Sequence, residues 1–199
     1  MTQSDLSPLA PAQWDPELIA AVGRLSPPSD SPYARRREQR GGSGGVNALG
    51  LLARHPALAD AFLGFNRHLL YENDLDDRAR ELVVLRVSWL LGSPYEWGQH
   101  VPVALDCGLG DDEIERIVAG PEAEGWDDRD RLLLAATDQL LASGDLTDEL
   151  RDRVAELLDT AAILDLIFTV GAYATLAMVF NVARLPLDPD ITGFPDPTA

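Results

Sequence analysis

The spacing of apolar residues along the chain predicts helices and no strands. Apolar positions recur at intervals of three and four through most of the sequence, which is the period of a helix with one buried face. No segment keeps the alternation of apolar and polar residues that a half-buried strand requires. We therefore predict an all-α fold, with helices at about residues 15–25, 46–55, 56–71, 78–91, 94–107, 111–119, 127–143, 147–158 and 160–183.

Composition divides the chain into an arm, a helical body and a tail. Residues 1–45 hold one short predicted helix and then a segment rich in Pro and Gly, which predicts an irregular N-terminal arm. Residues 46–187 hold the other seven to eight helices, enough for one domain with its own core. Residues 188–199 contain three prolines and are expected to form a C-terminal tail.

The last predicted helix, residues 160–183, is long and apolar enough to suggest a membrane span. However, Asp165, Tyr173 and Asn181 are spread along it, and a charged side chain at the centre of a span is costly in lipid. A helix that is apolar on all sides in a soluble protein lies in the core or between subunits. We therefore expect no membrane partner, and we regard Asp165 and Tyr173 as possible cavity residues.

Candidate chemistry concentrates between Glu81 and His100. Glu81, Glu96 and His100 lie among Val, Leu and Trp, where a carboxylate is seldom buried without a partner. Glu96 and His100 are four residues apart on one predicted helix, so their side chains can meet. A carboxylate next to an imidazole favours the imidazolium. The spacing alone leaves open whether this is a structural ion pair or a catalytic pair, which Glu81 joins if the two helices pack side by side.

Further residues of the same stretch are candidates for substrate binding. Ser93 is the predicted N-cap of the helix that Pro94 begins, and the free backbone N–H groups there favour an anion. Tyr95 and Trp97 can form an apolar wall, and Arg86 can pair with Glu81 or hold a substrate anion. Acid–base chemistry of this kind needs no metal and no cofactor, and we predict neither, although the two carboxylates and the imidazole are possible zinc or iron ligands.

Charge and cysteine content exclude several classes of function. The net charge is −17, which argues against a nucleic-acid partner because phosphates are bound by basic surfaces. The basic cluster Arg35, Arg36, Arg37 and Arg40 is interpreted as part of the solvated arm. A single cysteine, Cys107, cannot form a Cys-x-x-Cys centre. The N-terminus lacks a secretory pattern, so we expect a cytoplasmic protein.

The stretch also resembles a known family. The sequence R-E-L-V-V-L-R-V at residues 80–87, G-S-P-Y-E-W at 92–97, His100, and A-x-x-C-G-L at 104–109 is similar to the carboxymuconolactone decarboxylase (CMD) and AhpD-like family. In the redox branch of that family, a Glu is followed twelve residues later by Cys-x-x-Cys and then by His. Here Glu81 and His100 keep this spacing, whereas Ser93 and Glu96 occupy the two cysteine positions. The pattern Y-E-W-x-x-H is typical of the decarboxylase-like branch, and the likeness extends over about residues 51–187.

The resemblance implies the AhpD-like helical fold, a homo-oligomer (a trimer or hexamer) and three possible functions. The first is an enzyme that uses cofactor-free acid–base chemistry, a decarboxylation or a related lactone or carbonyl step, on a small organic acid. In it, His100, Glu96 and Glu81 are catalytic, and Ser93, Tyr95, Trp97 and Arg86 bind the substrate. The second is an alkylhydroperoxidase or peroxiredoxin activity, which the missing cysteines disfavour. The third is a non-catalytic binding or scaffold protein, in which no cavity would reach His100.

Overall fold

The chain folds into the all-α arrangement that the sequence predicts. In the computed structural model, residues 5–27, residue 38 and residues 44–195 are described. Nine α-helices lie within residues 5–27 and 44–195, and these ranges contain no strand. The helices are α1 Pro16–Arg24, α2 Val46–Leu52, α3 Pro56–Tyr71, α4 Asp77–Leu90, α5 Pro94–Asp106, α6 Asp111–Ala119, α7 Asp128–Ser143, α8 Asp148–Leu157 and α9 Thr160–Ala183.

Side-chain caps explain why most of the helices begin where they were predicted to begin. The carboxylates of Asp15, Asp76, Asp127 and Asp159 each accept a hydrogen bond from the backbone N–H three residues later, which satisfies a donor that has no partner inside the helix. His55 caps α3 in the same way through its imidazole. These bonds join residues three apart in the chain, so they depend on local sequence and not on tertiary packing.

Helix α4 lies at the centre of the molecule. Every residue from Ala79 to Ser88 is buried, and α4 packs against α5, α7 and α9 as well as the shorter α6. A helix surrounded on several sides must be apolar on several sides, as residues 82–87 are apart from Arg86. The prediction of a central, buried helix here is confirmed.

The buried face of α3 differs from the predicted one. The three- and four-residue spacing of Leu58, Phe62, Phe65, Leu69 and Leu70 predicts that they face the core, but Leu58 is 54% exposed and Phe65 is 36% exposed. The buried residues are instead Ala59, Leu63, Asn66 and Leu69. The reason is tertiary: α1 packs on this side of α3 and brings the fully buried Leu18 with it, so small and polar residues lie inward.

Both ends of the chain pack against the helical body where they are described. The backbone N–H of Leu9 donates to the carbonyl of Gly50, and after α9 the chain runs back along α5, where Phe194 contacts Trp89 and Trp97. The predicted arm is therefore described only in part. The basic residues Arg35, Arg36, Arg37 and Arg40 and the Gly-rich segment at 41–43 lie outside the described residues.

Helix α9 has the composition of a membrane span but is half buried in the fold. By length and hydropathy, residues 160–183 alone among the described helices are suited to cross a membrane. Half of the most apolar window is buried inside the protein, where Leu166, Val170 and Tyr173 join the main core. This matches the prediction of a core helix.

Candidate active site

A hydrogen-bonded pair of His100 and Glu81 forms the centre of the candidate site. The Nδ1 atom of His100 lies 2.7 Å from Oε2 of Glu81. The Glu81 side chain is fully buried, whereas that of His100 is 15% exposed. The two residues lie at similar heights along α4 and α5, because these helices form an antiparallel hairpin with a short turn at Gly92. The predicted convergence of Glu81 and His100 is thus confirmed.

Arg80 holds the Glu81 carboxylate from the other side. Its Nε and Nη2 atoms donate to Oε1 of Glu81 at 3.0 and 2.9 Å, and its Nη1 atom donates to the Leu70 carbonyl and to Asp77. Burial by itself would raise the pKa of Glu81, but the charges and hydrogen bonds of His100 and Arg80 outweigh burial and hold that pKa below its ordinary value. Glu81 is therefore a fixed anion, and it orients the His100 ring.

Glu96 is a buried carboxyl group in a different state. It is 1% exposed, and neither of its oxygen atoms has a hydrogen-bond partner among the described residues. Burial raises its pKa well above the ordinary value, which favours the protonated, uncharged form of Glu96. The predicted Glu96–His100 pair is wrong: the four-residue spacing permits it, but the imidazole bonds to the carboxylate whose charge Arg80 stabilises.

A cavity of about 190 Å³ opens onto Glu96 and His100. Most of its wall is apolar and comes from α2, α3, α5 and α9. The polar residues among those that line it are Asn66, Tyr95, Glu96, Gln99, His100 and Tyr173. An engineered apolar cavity of about 150 Å³ holds benzene, so this space is suited to a compound with one small ring.

Of two tyrosine side chains in the cavity wall, one lies near the imidazole and the other is held by hydrogen bonds. The ring of Tyr173 meets that of His100 edge to face, with centroids 5.0 Å apart. Burial raises the pKa of the Tyr173 hydroxyl, so this group stays protonated. The Tyr95 hydroxyl lies 3.1 Å from Asp188 and accepts from the backbone N–H of Ala48 at 3.1 Å, so it is tied to the wall and presents mainly its ring.

Of the four residues predicted to bind substrate, Tyr95 lines the cavity and the other three do not. Trp97 is 3% exposed and packs between Trp89 and Phe194. Ser93 is fully buried, and its hydroxyl neither caps α5 nor bonds to any described residue. Neither Ser93 nor Trp97 lines the cavity, so the substrate contacts predicted for them are not available in this site.

The role predicted for Arg86 is also wrong. Its guanidinium donates to both carboxylate oxygens of Asp138 at 2.7 and 2.8 Å and to the carbonyl of Ile117 at 2.7 Å. Arg86 therefore joins α4 to α6 and α7 and contacts neither Glu81 nor the cavity. Arg80 pairs with Glu81 instead, through the Nε and Nη2 atoms of its long side chain.

Sequence reasoning missed Arg80, Asn66 and Gln99. A signal existed for Asn66, because it is a polar residue at a position of α3 that packs inward with Leu63 and Leu69. Tyr173 was flagged as a possible cavity residue, and it is one. Asp165 was flagged in the same way, but it bonds to His68 at 2.8 Å and to the backbone of Asp74, so it holds α3 to α9 outside the cavity.

Comparison with known proteins agrees with this architecture. Residues 56–139 match the sequence model of the carboxymuconolactone decarboxylase family. A search of curated proteins finds no match. Several solved structures have a similar fold. The three that follow share only 15% to 18% sequence identity with this chain, so the similarity concerns the fold alone.

The first is a protein of unknown function from Agrobacterium tumefaciens, provisionally described as the antioxidant defence protein AhpD. Its TM-score is 0.63 and its identity 18%, and the match covers 70% of this chain and 96% of that one. The second is a cysteine-to-alanine variant of the debrominase Bmp8 in complex with 2,3,4-tribromopyrrole, with TM-score 0.72, 15% identity and 94% coverage of both chains. The third is an uncharacterized peroxidase-related protein from Silicibacter sp. TM1040, with TM-score 0.71, 18% identity and 96% coverage of both chains.

The family match covers the helices that carry Asn66, Glu81, Glu96 and His100, and the fold similarity extends over most of the chain. On these grounds residues 56–139 are similar to the carboxymuconolactone decarboxylase family, and the fold as a whole is similar to that of AhpD-like proteins.

Proposed function

We propose that this protein is an enzyme that transfers protons at a small carbonyl compound, such as a lactone, without a cofactor. The observation that carries the proposal is the cavity of about 190 Å³ that opens onto His100, while the buried anion Glu81 holds the same imidazole from behind at 2.7 Å. A scaffold protein needs no such cavity, which weakens the non-catalytic alternative.

The geometry gives His100 the properties of a general acid and base. Because the Glu81 carboxylate accepts at Nδ1, the neutral ring carries its proton on Nδ1 and has a free lone pair on Nε2. Nε2 can take a proton from carbon next to a carbonyl group and return it at another carbon. The imidazolium formed in between is stabilised by Glu81, which Arg80 keeps in place.

Glu96 supports the same reaction from the cavity wall. A protonated carboxyl group in an apolar site donates a hydrogen bond, and the oxygen of an enolate is the group that needs one during proton transfer. This role replaces the predicted one, in which Glu96 stabilised the imidazolium. The neighbouring debrominase structure, which holds a small ring compound, is consistent with a ring-sized substrate here.

The choice of a lactone or carbonyl step over decarboxylation rests on charge. Decarboxylation requires a site for a carboxylate, and the only side chain in the described cavity wall that can carry a positive charge is His100. Arg86, the expected anion site, is engaged elsewhere. Peroxidase activity is disfavoured because Cys107 is the only thiol in the chain, and it lies at the end of α5 and not in the described cavity wall.

The proposal is tested by solvent deuterium exchange. α-Angelica lactone, a neutral unsaturated lactone, is incubated with the protein in D₂O, and loss of the ring proton next to the carbonyl is followed by ¹H NMR. The wild-type protein should accelerate exchange over buffer. His100→Ala should abolish the acceleration, and Glu81→Gln should lower it by roughly 10²–10⁴, the usual contribution of acid–base groups.

Two control variants separate this mechanism from its alternatives. His68→Ala removes the other histidine–carboxylate pair, which lies outside the cavity wall, and should leave exchange unchanged. Cys107→Ser should be nearly silent. Full exchange in His100→Ala, or complete loss in Cys107→Ser with the helical circular dichroism preserved, would refute the mechanism.

A further inference from the structure

Two buried polar residues of the cavity lining have unmet hydrogen-bonding capacity. Both carboxyl oxygens of Glu96 and the Oδ1 atom of Asn66 are buried and have no partner among the described residues. Glu96 is 1% exposed and Asn66 is 9% exposed, and both line the cavity. Buried polar atoms in folded proteins are nearly always hydrogen-bonded, so these two groups are expected to bond to whatever occupies the space.

The remainder of the wall is unfavourable for an anion. Aromatic and aliphatic side chains from α2, α3 and α9, among them Phe62, Leu176 and Phe180, supply most of it. Glu81 lies directly behind His100 with its negative charge, and the whole chain carries −17. An anion placed here would lose its hydration without gaining a described cation other than His100.

We propose that the cavity selects an uncharged ring compound carrying a carbonyl oxygen beside an N–H or O–H group, with Glu96 and Asn66 as the two specificity-determining residues. Glu96 donates to the ligand carbonyl, and the Asn66 side-chain carbonyl accepts from the ligand N–H or O–H. This inference rests on the proposed function for its view of the cavity as a substrate site. It goes further by naming the class of substrate and by giving a role to Asn66.

The pKa of Glu96 agrees with this assignment, since burial raises it and favours the protonated form that can donate a hydrogen bond. The unpartnered oxygen atoms and the cavity are observed independently of that shift. An unpartnered carboxyl and an unpartnered amide carbonyl in one small cavity offer one donor and two acceptors, which an amide-like or lactam-like ligand satisfies together.

Benzamide and benzoate form a matched pair of probes because they share shape and size but differ in charge. Binding of each to the wild-type protein is measured by isothermal titration calorimetry at neutral pH. Benzamide should bind, and benzoate should bind at least about tenfold more weakly. Benzoate binding as tight as benzamide, or no benzamide binding up to its solubility limit, would overturn the proposal and leave water as the occupant.

Variants locate the binding on the two residues. Glu96→Leu and Asn66→Leu should each weaken benzamide binding by about tenfold, the effect of removing one hydrogen bond of about 1.4 kcal/mol. Glu96→Gln, which retains a neutral donor of the same shape, should bind benzamide within about threefold of wild type. Unchanged affinity in both leucine variants would contradict the assignment.

The binding assay and the lactone exchange assay together separate this inference from the proposed function. Glu81 does not line the described cavity wall, so Glu81→Gln should lose lactone exchange while keeping its benzamide affinity. Benzamide selectivity without any lactone exchange would refute the proposed reaction alone. Lactone exchange with equal binding of benzoate and benzamide would refute the selectivity alone.

Discussion

At the scale of single residues, the two buried glutamates show how environment sets protonation. Glu81 and Glu96 are equally inaccessible to solvent, but Glu81 has Arg80 and His100 as partners and Glu96 has none among the described residues. Their pKa values therefore move in opposite directions from the same ordinary value. The surroundings thus favour the anionic form of one carboxyl group and the neutral form of the other, a contrast that acid–base sites use.

This contrast predicts opposite pH dependences of stability. The folded protein keeps the Glu96 proton that the unfolded chain loses above its ordinary pKa of 4.5, so burial of Glu96 costs stability that increases as pH rises from there to the folded pKa. Glu96→Gln removes this cost. The variant's free energy of unfolding, measured by urea denaturation, should therefore increase relative to that of the wild type by about 1.4 kcal/mol per pH unit in that window.

Glu81→Gln is the matched comparison. The lowered pKa of Glu81 contributes stability that is present above the unfolded pKa and is lost as pH falls through the folded pKa. The variant should thus be less stable than wild type at neutral pH and approach it in acid. A Glu96→Gln gain that stays constant with pH would show that Glu96 is ionised in the folded protein.

At the scale of elements, the segment after α9, residues 184–195, packs along α5 and holds it in place; we call this segment the clamp. Asp188 is 1% exposed and contacts Tyr95 and Gln99 at 3.1 and 2.8 Å, two residues of the cavity wall. Further along, the segment passes so close to Gly98 that only a glycine fits beneath it. The segment predicted to be a C-terminal tail therefore helps to shape the site. It does so through contacts between residues that are far apart in the sequence.

Gly98→Ala tests the clamp. An added Cβ would stand 2.3 Å from the backbone carbonyl oxygen of Thr192, so the segment must shift, and we expect a loss of about 1–3 kcal/mol in unfolding free energy. Gly64→Ala is the control, since nothing lies within 4 Å of its Cβ position on α3. That variant should gain up to about 1 kcal/mol from helix propensity. Urea denaturation measures both, and equal effects would refute the close packing.

At the scale of the whole molecule, α9 presents an apolar stripe outward while its other face lines the core and cavity. Leu164, Ile167, Phe168, Met178 and Val182 are between 42% and 73% exposed, and their spacing places them on one side of the helix. Phe168 also contacts Phe65 on α3, with ring centroids 5.8 Å apart, which extends the apolar surface across two helices. Contiguous apolar surface of this kind is typical of an interaction site.

We therefore propose self-association through this stripe, as the family resemblance led us to expect. Light scattering at micromolar concentration should give a homo-oligomer, and Phe168→Glu with Met178→Glu should shift it to the monomer by placing charges in the contact. Ile19→Glu, on α1 and 55% exposed, is the control and should leave the mass unchanged. A wild-type monomer would contradict the interface.

The sequence by itself determined the helices and the motif. Caps such as Asp76, proline starts such as Pro94 and the apolar period are properties of neighbours in the chain, so the predicted bounds agree with the structure to within a few residues. The meeting of Glu81 with His100 was also predictable, because a short turn between two helices leaves little choice but antiparallel packing.

Only the tertiary structure decided which charged groups pair and which face a cavity. His100 could reach Glu96 or Glu81 by spacing, and Arg80, positioned by the packing of α4, settled the choice. Arg86 bonds to Asp138, 52 residues away, and Asn66 lines a cavity to which α2, α5 and α9 also contribute. These outcomes depend on distances between elements, which the order of residues along one helix does not encode.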